Sequence, residues 1–350
     1  MRSIVKCVFL MLGVLSHSLH DGLAQSPERS LVEQRLNGLD ESVNFAQQRI
    51  TKNISDLLWF QRLQDIAVVD KIHYIGPPPI NPIQRKITTN SIVIPAYTFV
   101  PRKRFRVPKL PLIVLLHTEV HGDFNPDDDL RVARELIDQG YAIIAPDYRG
   151  STGYGGDFWR LIDYGRLEND DVWLARKWML EHSANLDPNR VGIMGWSHGG
   201  MIALMSIFEH PNDYAVAYAG MPVTDLPFRL RQKENSYREL FSAPYHFGKT
   251  VDEDPEEYLR RSPIAHAAKL RRPLLLHAVT NDQDVSPAEV ERLVAALRTA
   301  GKQFEYKVYR NAPSGHAFNK LDTTEAAASR QEIYQFFARY LHPPNPPRSH

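Results

Sequence analysis

The chain has 350 residues, 43% of them apolar, with 42 basic and 41 acidic side chains for a formal net charge of +1. That is enough chain for one large domain or two small ones, with a sizeable core. The balanced charge excludes the concentrated positive field that nucleic acid or an anionic membrane surface requires, and the lack of any repeat at a period of about 20 to 50 residues excludes solenoids and propellers.

Residues 1–24 read as a secretory signal peptide. Arg2 and Lys6 precede a short apolar run, Val8 to Leu15, and Gly22-Leu23-Ala24 offers small residues for cleavage. The run is too short to span a bilayer, so the protein is expected to be exported, periplasmic or secreted, with no stable membrane insertion after cleavage. Cleavage removes Cys7, the sole cysteine, and with it any disulfide or thiol chemistry; an uncleaved anchor is the alternative. Residues 25–80 read as a helical extension. Val32, Leu36, Leu39, Val43, Ala46, Ile50, Ile54 and Leu57 recur at steps of three and four, one apolar stripe on a long helix. The stripe is expected to pack on the domain that follows, a homodimer seam being the alternative. Gly76-Pro77-Pro78-Pro79 ends the extension in a stiff turn.

Residues 81–342 then alternate between strand and helix patterns. Strands are expected at 91–99, 110–117, 141–146, 190–195, 215–220, 274–279 and 304–309, and helices at 130–139, 170–182, 198–209, 287–300 and 323–341. LPLIVLLH (Leu110 to His117) has almost no polar alternation, as in a strand covered on both faces. The pattern predicts an α/β fold with a mostly parallel central sheet and helices on both faces. Residues 222–265 are irregular, charged and rich in proline, and read as a small lid. Its aromatics Phe228, Tyr237, Phe241, Tyr245 and Phe247 suit an acyl pocket or the lid's own core equally. Residues 343–350 read as a disordered tail.

Gly195-Trp196-Ser197-His198-Gly199 fits G-x-S-x-G, placed between a predicted buried strand and a predicted helix. Such a turn lifts the serine hydroxyl over the carboxyl end of the sheet. Small residues at 195 and 199 avoid the neighbouring strand and helix, and the backbone N–H of His198 points where an oxyanion develops. A serine hydroxyl is a poor nucleophile without a base. Ser314-Gly315-His316 follows a late strand and supplies one. The strand at 274–279 runs into Thr280-Asn281-Asp282-Gln283-Asp284-Val285, where Asp282 or Asp284 offers the carboxylate that fixes the histidine tautomer. The chain order Ser, Asp, His is that of α/β-hydrolases.

Five stretches resemble the catalytic domain of the prolyl oligopeptidase family, especially its dipeptidyl-peptidase and acylaminoacyl-peptidase branches: PDYRGSTGYG (146–155), DYGRLENDDV (163–172), DPNRVGIMGWSHGG (187–200), LLLHAVTNDQDV (274–285) and SGHAF (314–318). They span roughly residues 90 to 340. The family's acid stands three residues before the valine of a D-x-x-V pattern, which selects Asp282 and leaves Asp284 as a solvated loop charge or helix cap. The resemblance implies serine hydrolysis of peptide or amide bonds through an acyl-enzyme, without cofactor. Two departures stand out. Fewer than 100 residues precede the domain, so the family's β-propeller, with its substrate filter and amine-binding acids, is not expected. The family's His-Gly-Gly reads His117-Thr118-Glu119-Val120-His121-Gly122 here. A backbone N–H near Thr118 or Glu119 is the candidate second oxyanion donor.

His117 and His121 flank Glu119, but a zinc helix reads H-E-x-x-H, and Asp127-Asp128-Asp129 suits the start of a helix at Leu130 better than calcium; no metal is expected. The candidate catalytic residues are Ser197, Asp282 and His316. His198, Thr118 and Glu119 form the candidate oxyanion site. Arg149, Tyr154 and Trp196 are the candidate substrate contacts, with an ion pair the first reading for Arg149 and packing for Trp196. The expected partner is a peptide or a small acyl substrate. A carboxylesterase with the same triad, or a non-catalytic binding protein on this fold, are the rival readings.

Overall fold

The computed structural model describes residues 27–348 apart from 82–85 and 88–89, with side chains from residue 31. Residues 1–24, the stretch read as a signal peptide, therefore lie outside the described residues. The chain divides into two compact units, 1–46 and 47–350. The first holds the start of helix α1 (Pro27–Leu63), and the second holds its remainder and everything after it.

The second unit is built on eight strands: β1 (Ala67–Gly76), β2 (Ile92–Pro101), β3 (Leu110–Leu115), β4 (Ala142–Pro146), β5 (Leu186–Trp196), β6 (Val216–Gly220), β7 (Leu274–Val279) and β8 (Glu305–Tyr309). Their order across the sheet is β1-β2-β4-β3-β5-β6-β7-β8. The pairs β1·β2 and β2·β4 are antiparallel and the rest parallel. Every residue of β3, β4, β6 and β7 is buried, which is why these strands read as unbroken apolar runs. The helices between them are α2 (Pro126–Gln139), the single turn α3 (Gly156–Trp159), α4 (Leu167–His182), α5 (Ser197–Glu209), α6 (Leu226–Arg231), α7 (Asn235–Ser242), α8 (Pro255–Arg260), α9 (Pro287–Thr299) and α10 (Thr324–Leu341). One apolar core joins the sheet to α2, α10 and residues 59 and 63 of α1; a second joins it to α4, α5 and α9. The architecture is the α/β sheet that the pattern predicts.

Five expectations need correction. The sheet begins at Ala67, not after residue 80. The segment read as extension ends in β1, whose alternation of buried Ala67 and Val69 with exposed Val68 and Asp70 marks an edge strand. Within the second unit the apolar stripe of α1 does not pack: Ile50, Ile54 and Leu57 are all more than half exposed. In the second unit the buried face of α1 is Lys52, Ser55, Trp59 and Leu63, because Trp59 stacks on Phe124 at 4.6 Å and meets Phe99 edge-on at 5.2 Å. The lid is largely helical, comprising α6, α7 and α8. Pro227 and Pro255 stand in the first turns of α6 and α8, where the missing N–H costs nothing. Finally, residues 343–348 lie against the domain: Pro343 is buried, and Asn345 donates from its backbone N–H to the carbonyl of Gln139 (3.1 Å). Helix α2 also starts earlier than Leu130, with Asn125 as its cap and Asp127, Asp128 and Asp129 in its first turn.

Candidate active site

The turn from β5 into α5 carries Ser197 at φ 53°, a left-handed conformation a serine adopts only where its surroundings impose it. The turn is too tight for side chains on either flank. A Cβ at Gly195 would stand 2.5 Å from the Gly199 backbone, and one at Gly199 would stand 2.5 Å from the His117 carbonyl oxygen. The hydroxyl is thereby presented at the carboxyl end of the parallel strands, where ligands of such sheets bind.

The loop after β7 and the loop after β8 meet each other. His316 Nδ1 stands 2.7 Å from Asp282 Oδ2. The other oxygen of Asp282 accepts the backbone N–H groups of Asp284 and Val285, both at 2.9 Å. The carboxylate is thus fixed on three sides, and of the two candidate acids Asp282 is the one on Nδ1. Asp284 is not a bare solvated charge. It pairs with Arg229 at 2.8 Å and lies 3.5 Å from His316 Nε2. Among the described residues no hydrogen bond joins Ser197 to His316.

The oxyanion candidates meet in an unexpected way. The His198 N–H donates to the Thr118 carbonyl at 3.1 Å, so the loop occupies the donor it was expected to assist. Position 118 contributes an acceptor here, not a donor. The Glu119 carbonyl accepts from Gly122 N–H (3.4 Å) and lies 3.2 Å from the Tyr148 hydroxyl. His117 is tied down by Ser151 (2.9 Å) and Tyr148 (3.1 Å), and so serves as scaffold.

The three substrate-contact candidates all belong to the scaffold. Arg149 is fully buried and forks onto Asp171 at 2.7 and 2.8 Å, with a third bond to the Pro77 carbonyl at 2.9 Å. The ion-pair reading is the one the structure forms. Tyr154 donates to Asp147, which also holds Lys52 and the Phe124 N–H. Trp196 is buried and edge-on to Tyr218. Of the lid aromatics, Phe241 and Phe247 join a core with Tyr164 and Met201, while Phe228 carries the Arg292 guanidinium 4.8 Å over its ring.

Sequence reasoning missed Glu168, at the start of α4. Its carboxyl group is wholly buried 3.8 Å from His198 Nε2. Burial, with the Asp163 charge behind it, pushes its pKa up to about 8. Burial and the neighbouring imidazoles hold His198 well below the usual histidine range. The pair is therefore a neutral acid beside a neutral imidazole at pH 7. A carboxyl group whose folded pKa lies above its unfolded one adds stability that is complete below about pH 4.5 and is lost as pH rises towards 8. Glu168→Gln should remove this slope: its melting temperature relative to wild type is expected to climb between pH 5 and pH 8. A constant difference across that range would refute the assignment.

The fold is that of an α/β-hydrolase, with Ser197 at its tight strand-to-helix turn. Residues 129–343 match the model of the prolyl oligopeptidase family, and the chain belongs to that family. It is 30% identical over 220 residues to the acylamino-acid-releasing enzyme of Arabidopsis thaliana, a match covering 57% of this chain and 27% of the relative. It is 31% identical over 180 residues to human dipeptidyl peptidase 8, covering 50% and 19%. Among solved structures, a puromycin-hydrolyzing peptidase of Mycobacterium tuberculosis superposes with a TM-score of 0.62 at 21% identity, covering 77% of this chain and 40% of the other. The Pyrococcus horikoshii acylaminoacyl peptidase gives 0.64 at 16%, covering 80% and 43%. This chain thus spans less than half the length of each of these relatives.

Proposed function

We propose that this protein is a serine peptidase that cleaves peptide or amide bonds through an acyl-enzyme, with Ser197 as nucleophile, His316 as base and Asp282 as its orienting acid. Two observations support the reading: the 2.7 Å Asp282–His316 contact, and a strained serine at a strand-to-helix turn. Asp282 accepting from Nδ1 leaves Nε2 unprotonated and able to take the serine proton. Ser197 Oγ then attacks the substrate carbonyl carbon, the proton passes to Nε2, and His316 returns it to the departing amine. Water repeats the sequence on the ester. For this, Nε2 turns from Asp284 to Ser197, and the Thr118 carbonyl yields the His198 N–H to the oxyanion. A rotation of the 118–119 peptide frees that donor and brings in the Glu119 N–H as the second. Family membership and the peptidase relatives support the amide over the ester bond.

The test is labelling with a fluorophosphonate probe beside Ser197→Ala. Labelling that disappears in the variant, with turnover of peptidyl amides, is the expected outcome. Turnover confined to short acyl esters would make the protein an esterase. One observation favours a non-catalytic binding protein, the engaged His198 N–H, and folded wild-type protein that fails to label would establish that reading.

A further inference from the structure

We propose that Lys52 of α1 is a positioning residue for the oxyanion loop, fixing residues 123–124 so that only the segment upstream of them moves. The proposal rests on the serine-hydrolase reading above. Lys52 is 2% exposed, and its ammonium reaches Asp147 at 2.7 Å, Asp123 at 2.9 Å and the Phe124 carbonyl at 2.9 Å. Three acceptors use all three of its N–H groups. Asp147, at the end of β4, also accepts the Phe124 backbone N–H at 2.7 Å. Phe124 is therefore held at its N–H, at its carbonyl and, through Trp59, at its ring. A path is kept open for the lysine: Gly153 has φ 90°, and a Cβ there would lie 2.6 Å from Lys52 Cβ. Burial works against the ammonium's charge, but the carboxylates of Asp147 and Asp123 more than offset it and raise its pKa.

Docking a helix does not need this arrangement, since apolar packing does so without desolvating three charges. Directional bonds do what packing cannot, which is to fix a loop backbone in one orientation. The loop's other end is fixed too, at His117 by Ser151 and Tyr148. Between these anchors lies the Thr118–Glu119 peptide that must turn to release the His198 N–H. Loosening one anchor lets the donors wander, and misplacement on the order of 1 Å costs about a hundredfold in rate.

The experiment compares Lys52→Met, Asp123→Asn and the control Lys71→Met, reading kcat, KM, melting temperature and amide exchange across 117–122. Lys71 pairs with Asp56 at 2.5 Å and lies over the Tyr97 and Tyr154 rings. Expected are a kcat loss of about 10- to 100-fold with KM within about threefold of wild type and faster exchange at 117–122 in the first two variants, and wild-type values for Lys71→Met. Asp123→Asn keeps the Lys52–Asp147 pair and decides the matter if Lys52→Met does not fold. Folded variants with wild-type kcat and exchange would overturn the proposal. So would an equal loss in Lys71→Met at equal melting temperature, since that would reveal mere support. If wild type itself shows no turnover, the hydrolase reading fails, while unchanged exchange in Asp123→Asn still overturns the anchoring.

Discussion

Asp282→Asn is expected to lower turnover by about three to four orders of magnitude without unfolding the protein. Asparagine can keep accepting the Asp284 and Val285 N–H groups through its carbonyl oxygen, so the loop stays in place. It then presents an amide N–H₂ group to His316 Nδ1, 2.7 Å away in the native contact. An imidazole facing a donor becomes the acceptor at that nitrogen, which moves its proton to Nε2. His316 in that tautomer cannot take the serine proton. The loss should appear in kcat and in the labelling rate of Ser197 alike, with an unchanged melting temperature. Asp284→Asn is the internal comparison, because Asp284 faces the opposite nitrogen at 3.5 Å. Were Asp284→Asn the more damaging of the two, the assignment of the acid would reverse.

The second large effect is on stability. Arg149→Met should destabilise the protein by about 3–5 kcal/mol, because it strands the Asp171 carboxylate in a site where both partners are 0% exposed. Asp171 would retain only the Arg149 backbone N–H, at 3.1 Å. The companion variant Arg149→Met/Asp171→Leu removes both charges and should recover most of the loss, since a buried pair can be replaced by apolar volume at little net cost. Urea midpoints of the two variants give the comparison. A single variant as stable as wild type would show that water reaches Asp171 readily.

The parallel strands and their helices were legible because both faces of those strands are buried, so their apolar runs contain few polar interruptions. The tight turn at Ser197 was legible for a related reason: its glycines answer to backbone atoms 2.5 Å from where a Cβ would sit, and such a constraint leaves a mark in sequence. β1 was readable in principle from the alternation in AVVDKIHYIG, but the proline run after it drew attention instead. The stripe on α1 misled because an apolar face shows what a helix can bury, not where its partner lies. The polar face won through Lys52 and Trp59, whose partners Asp123, Phe124 and Asp147 are far along the chain. The engagement of the candidate oxyanion donor, the His198 N–H, escaped for another reason. It is a bond from a backbone N–H to a backbone carbonyl, and neither group has a letter in the sequence.

The long reach of Lys52 bears on the order in which the molecule assembles. Its partners Asp123 and Phe124 lie 71 and 72 residues downstream. Closing loops of that size carries an entropy cost that contacts elsewhere must offset first. Contacts so distant in sequence form slowly. As a chain emerges from the ribosome, α1 comes out early and finds nothing to dock on until the strands on either side of α2 have been made. The anchoring of residues 123–124 is then one of the last events of folding.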